Sequence, residues 1–221
     1  VPRTEDHIRE RQSEVLRRVR DAAAAGTPAA AIFVGDSITA RWERDGAPFW
    51  RIVEEIAGGM VLNLGVSGDR TEHVLWRLEE APIGPLDPRV VVVLIGTNNL
   101  GHGTSTAAET LAGVRAVVDR IEAQCPRATI VVLGILPSGE AFNPARGDAA
   151  QINQALATLD DRAPEGPRVR FVDLASAFVR ADGSIDPGLM PDALHPSEAG
   201  YRVLLEALRP FLRPDADPAA P

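Results

Sequence analysis

At 221 residues, 45% apolar and 24% charged, the chain has the size and composition of one soluble α/β domain able to bury its core without metal or disulfide staples. A formal net charge of −8 argues against nucleic acid or an anionic membrane as the main partner. No run of about 18 apolar residues exists to span a membrane, and the single cysteine, Cys125, excludes an intramolecular disulfide.

The first predicted element is an amphipathic helix over 5–24, with Ile8, Val15, Leu16 and Val19 on its apolar side and Gly26-Thr27-Pro28 ending it. Its arginines, from Arg9 to Arg20, alternate with acids and read as a solvated face rather than a nucleic-acid patch. Strands then alternate with helices. The strands are predicted at 30–34, 61–66, 90–95, 129–136 and 169–174, and the helices at 50–57, 71–78, 105–124, 146–163 and 196–212. The strand segments are short, rich in Val and Ile and without polar alternation, as expected of strands covered on both faces. This order predicts a three-layer α/β/α sandwich around a five-stranded parallel sheet with right-handed crossovers. A single domain is expected over 1–221, with its core at about 5–212 and a disordered Pro/Ala/Asp-rich tail at 214–221. No signal peptide is visible. Residue 1 is valine, which reads as a processed or trimmed start and leaves cytoplasmic and secreted locations both open.

In such sheets, ligands sit beyond the carboxyl ends of the strands. Gly35-Asp36-Ser37 follows the first strand, Gly65 to Gly68 the second, and Gly96-Thr97-Asn98-Asn99 the third; Asp192 and His195 lie just before the last helix. A serine hydroxyl becomes an effective nucleophile when a histidine takes its proton and an acid orients that histidine. Ser37, His195 and Asp192 can fill those roles. Of the four histidines, His7 and His73 read as surface or packing residues, and His102 has no nearby acid. Pro196 suits His195 to a helix boundary, where the helix dipole would keep its ring neutral. Candidate donors to a developing oxyanion are the Ser37 N–H, the Gly68 N–H and the Asn98 side-chain amide. Each piece also has a structural reading. Asp36 and Ser37 are good helix caps, Gly-Thr-Asn-Asn is good turn chemistry, and Asp192 with His195 can cap the last helix.

The four blocks Gly35-Asp36-Ser37-Ile38, the Gly68 turn, Gly96-Thr97-Asn98-Asn99 and Asp192-Ala193-Leu194-His195 together resemble the SGNH (GDSL-type) hydrolase superfamily. The stretches 68–78 and 132–140 are most similar to the catalytic subunits of platelet-activating factor acetylhydrolase type Ib. The resemblance implies a flavodoxin-like SGNH-hydrolase fold, with Ser37 as nucleophile, His195 as base, Asp192 as orienting acid, and Ser37, Gly68 and Asn98 as the oxyanion hole. It also implies a small acyl pocket at Ile38, Thr97 and Leu194, hence a serine esterase for short acetyl esters on a small or carbohydrate-linked alcohol. An acyltransferase using the same acyl-enzyme is the alternative. No metal or organic cofactor is expected, the expected partner is a small-molecule ester, and a homodimer is compatible with the resemblance.

Overall fold

A computed structural model describes residues 2, 4–101, 103–159 and 169–214. The expected tail from 215 onward, His102, and positions 160–163 of the helix expected over 146–163 lie outside the described residues.

The chain runs through α1 (Asp6–Ala25), β1 (Ala29–Gly35), α2 (Ser37–Ala40), α3 (Ala47–Ala57), β2 (Met60–Asn63), α4 (Thr71–Glu80), β3 (Val90–Leu94), α5 (Thr97–Gly101), α6 (Ala107–Gln124), β4 (Thr129–Leu133), α7 (Pro144–Leu156), β5 (Val169–Val172) and α8 (Glu198–Leu212). The strands form one parallel sheet in the order β2-β1-β3-β4-β5.

Alternation along each strand divides the core between two faces. Ile32, Val34, Val91, Val93, Ile130 and Val132 pack with apolar residues of α1, α4, α6 and α7. Ala31, Phe33, Val92, Leu94, Val131 and Leu133 pack with α3 and α8. Both faces are covered, which is why the strands read as continuous apolar runs. The second face also holds an aromatic cluster of Phe33, Trp42, Trp50 and Tyr201, with ring centroids 4.8 to 6.3 Å apart.

Several boundaries differ from the sequence reading. β2 stops at Asn63 instead of continuing to Val66, because the Asn63 side chain turns the backbone. Its Oδ1 accepts from the Gly65 N–H and its Nδ2 donates to the Thr39 carbonyl. Leu64 and Val66 remain buried, so they carry a strand-like signal without being strand. β4 likewise ends at Leu133, and β5 at Val172. α8 begins at Glu198 rather than Pro196: Ser197 is its cap, accepting from the Gly200 N–H. α7 starts at Pro144, capped by Asn143, and is followed by a short 3-10 turn at Ala157–Leu159. No helix among the described residues is long and apolar enough to cross a membrane.

Candidate active site

The sharp turn after β1 sets the position of Ser37. Gly35 passes so close to β3 that an added Cβ would lie 2.3 Å from the Leu94 carbonyl oxygen. Asp36 caps α2 by accepting from the Ile38 N–H at 2.9 Å, and Ser37 is the first residue of that helix. From the far side, the Tyr201 hydroxyl donates to the Ile38 carbonyl at 2.7 Å and ties α2 to α8. The turn that carries Ser37 is thus fixed to the core on two sides.

Ser37 Oγ lies 2.9 Å from His195 Nε2, and His195 Nδ1 lies 2.7 Å from Asp192 Oδ2. Both distances are within hydrogen-bond reach, so a proton can pass between hydroxyl and ring while the carboxylate holds the other ring nitrogen. Asp192 Oδ1 also accepts from the backbone N–H groups of Leu194 and His195. Burial pushes the Asp192 carboxyl up, but these bonds and the His195 ring outweigh it and hold the group below the usual carboxylate range. Ala193 between them has φ +53, a left-handed conformation unusual for alanine. Gly139 N–H donates to its carbonyl at 2.8 Å, and the buried Arg146 guanidinium bonds the carbonyls of Ser138, Gly139 and Gly183 to steady that neighbouring loop.

The expectation that His195 sits at a helix N-terminus is corrected. α8 is capped by Ser197, two residues later, and the bonds of Asp192 go to its own loop rather than to helical N–H groups. The Asp192 carboxylate orients the ring, which lies before the first turn of α8, where a helix dipole acts. The Gly-Thr-Asn-Asn block is also not a simple turn, since Thr97 to Gly101 form α5. Asn98 there donates through Nδ2 to the Asp69 carbonyl at 2.9 Å and approaches Asp36 Oδ2 at 3.3 Å. Gly68, next to Asp69, has φ +75, which favours glycine.

Of the expected acyl-pocket residues, Ile38 is fully buried in the aromatic-rich core, Thr97 is buried, and Leu194 is half-buried. Each adjoins Ser37, Asn98 or His195 in the chain. His7 is exposed, whereas His73 is buried and accepts from the Arg70 N–H through Nδ1. Cys125 is buried, and burial reinforced by Asp87 pushes its thiol up to about 12, so it is inert at neutral pH. Among the described residues no cluster of three or more His, Cys, Asp or Glu side chains is placed to hold a metal ion.

Sequence reasoning missed Asp36, Asp69 and Arg77 as parts of the site. Asp36 is fully buried, and desolvation raises its carboxyl to about 7 despite the Ile38 bond, with Asp69 adding to the rise. The available signal was Arg77, a charge on the same stripe of α4 as Val74 and Leu78. A charge on an apolar stripe needs a buried partner.

The GDSL-like lipase/acylhydrolase family model matches residues 33–203, and the chain belongs to that family. It is a carboxylic ester hydrolase of the GDSL type. The platelet-activating factor acetylhydrolase IB subunit alpha1 of Homo sapiens is 38% identical over 182 residues, which cover 82% of this chain and 74% of that protein. The alpha2 subunit of Rattus norvegicus is 38% identical over 181 residues, covering 82% and 75%. A GDSL-like lipase from Bacteroides thetaiotaomicron has the same fold, with a TM-score of 0.70 at 21% identity over 91% of this chain and 98% of that one.

Proposed function

We propose that this chain hydrolyses short-chain, acetyl-type esters through an acyl-enzyme on Ser37, with His195 as base and Asp192 as the acid that orients it. The hydrogen-bonded series from Ser37 Oγ through the His195 ring to Asp192 is the observation that supports this reading best. His195 takes the Ser37 proton as Oγ attacks the ester carbonyl, and the N–H groups of Ser37 and Gly68 and the Asn98 amide stabilise the oxyanion. The alcohol departs with the proton from His195. Water, activated by the same ring, then attacks the acyl-enzyme and releases the acid.

The acetyl preference rests on Ile38, Thr97 and Leu194, the chain neighbours of Ser37, Asn98 and His195, and on the similarity to acetylhydrolase subunits. Bulk at those positions leaves room for a short acyl group. A methylene changes discrimination by about 1–3 kcal/mol, so the preference is graded. The alcohol is a small or carbohydrate-linked one, and transfer of the acyl group to a sugar hydroxyl is the competing outcome. The test is a chain-length series of p-nitrophenyl esters on the purified protein, with Ser37→Ala as control and acetylated sugars as second substrates. Turnover is expected to fall steadily from acetyl to octanoyl and to vanish in Ser37→Ala. A maximum at octanoyl overturns the short-acyl assignment, and an acylated sugar acceptor as the main product replaces hydrolysis with transfer.

A further inference from the structure

Arg77 lies inside the molecule, its side chain only 4% exposed. A guanidinium cannot shed its proton in a protein, so burial on this scale depends on its partners. Nε and Nη2 donate to Asp69 Oδ2 at 2.9 and 2.7 Å, Nη1 donates to the Leu64 carbonyl at 2.8 Å, and Nη2 reaches the Gly35 carbonyl at 3.4 Å. Asp69 is itself fully buried.

These partners lie beside every oxyanion donor proposed above. Gly35 stands two residues before Ser37, Leu64 opens the turn that ends at Gly68, and Asp69 follows Gly68. The Asp69 carbonyl also holds the Asn98 amide at 2.9 Å. The same turn is gripped from outside by Arg11 on α1, which donates to the carbonyls of Asn63 and Gly65 at 3.4 and 3.1 Å. Successive carbonyls from Asn63 to Gly65 are therefore drawn alternately to Arg11, Arg77 and Arg11.

We infer that Arg77 is a positioning residue for the oxyanion hole: through Asp69 and the carbonyls of Gly35 and Leu64, it fixes the spacing of the Ser37, Gly68 and Asn98 donors. Stability alone does not account for it, since apolar packing of similar volume often serves as well as a buried ion pair. An apolar side chain cannot hold three polar points on two separate segments, whereas a planar fork of five donors can. Preorganised donors are effective because they need no rearrangement as charge develops, so small displacements of them matter.

The inference rests on the ester-hydrolase reading, and its test keeps the two apart. Arg77→Lys retains the charge and loses the fork. Active sites are counted by end-point fluorophosphonate labelling of Ser37, and kcat is expressed per labelled site. We expect kcat to fall about 30- to 100-fold with KM within about threefold of wild type. In 15N NMR spectra the Ser37 and Gly68 amides and the Asn98 side-chain amide are expected to shift, while α8 signals stay in place. If Arg77→Lys does not fold, Asp69→Asn, which keeps the carbonyl beneath Asn98, must give the same signature. A kcat per labelled site within about threefold of wild type, or unshifted donor signals, overturns the inference. If wild-type Ser37 takes no label, the ester-hydrolase reading falls and the NMR comparison alone decides whether Arg77 sets the three groups.

Discussion

The Asn98 amide is held by partners 29 and 62 positions away in the chain, and Arg77 ties Asp69 to the ends of β1 and β2. Among the described residues Asp192, by contrast, bonds only to residues two and three positions away, on a loop where its own side chain is 51% exposed. The proposed oxyanion side is thus part of the buried sheet edge, whereas the proposed acid–base side is a short loop that shapes itself and is set down beside Ser37. Electrostatic stabilisation demands fixed donors in a dry place, while a proton carrier needs orientation and access.

The largest expected effect comes from the loop. His195→Ala should lower kcat on p-nitrophenyl acetate about 10⁴-fold or more, since removal of the base disables the whole series. Because the loop is local, the unfolding free energy in urea should change by less than about 1 kcal/mol. A large loss of stability would break the contrast between the two regions.

Asn98→Ala sharpens it from the other side. We expect kcat to fall about 10²–10³-fold with KM little changed. Unlike the loop variant, it should also cost about 1–2 kcal/mol in urea unfolding, because the buried Asp69 carbonyl and Asp36 carboxyl lose a donor.

The third effect leaves turnover aside: it is a pH dependence of stability whose sign differs between the two regions. The Asp36 carboxyl is raised to about 7, above its unfolded value of 3.8. Between those values the unfolded chain gives up the proton and the folded protein keeps it, so this group's contribution is full below pH 3.8 and declines as pH rises to 7. Asp36→Asn removes that decline. Its stability relative to wild type should therefore increase between about pH 4 and 7, by on the order of 3 kcal/mol. A difference that stays flat with pH would show that Asp36 does not carry this dependence. The opposite sign is expected of Asp192, held low in the exposed loop, whose contribution is lost as pH falls through its folded value.

Much of this was legible in advance, for a physical reason. Strands buried on both faces must be apolar throughout, so the apolar runs of β1 and β3 stand out within one or two residues. Asp192 and His195 are also legible, because residues three apart on one loop can meet without help from the rest of the fold. The sequence reading carries β2 on to Val66 because Leu64 and Val66 are buried and still donate to the β1 carbonyls of Phe33 and Gly35 after the regular strand has ended. The start of α7 is written locally, in a capping Asn143 followed by Pro144 at the first helical position. Asp36 reads locally as a cap, and nothing near it in the chain indicates that it faces Asn98 across 62 positions.

Taken alone, the sequence determined the layered parallel architecture, the strand ends where chemistry would gather, and the residue types able to perform it. Burial patterns and short-range hydrogen bonds follow from neighbours in the chain, so they are written in its order. The tertiary structure alone decided that Ser37 and His195, 158 positions apart, stand 2.9 Å from each other. It alone decided that Arg77 would be sealed against Asp69 beneath the proposed oxyanion donors. Such pairings depend on how crossovers stack strands side by side, and no spacing along the chain records that distance.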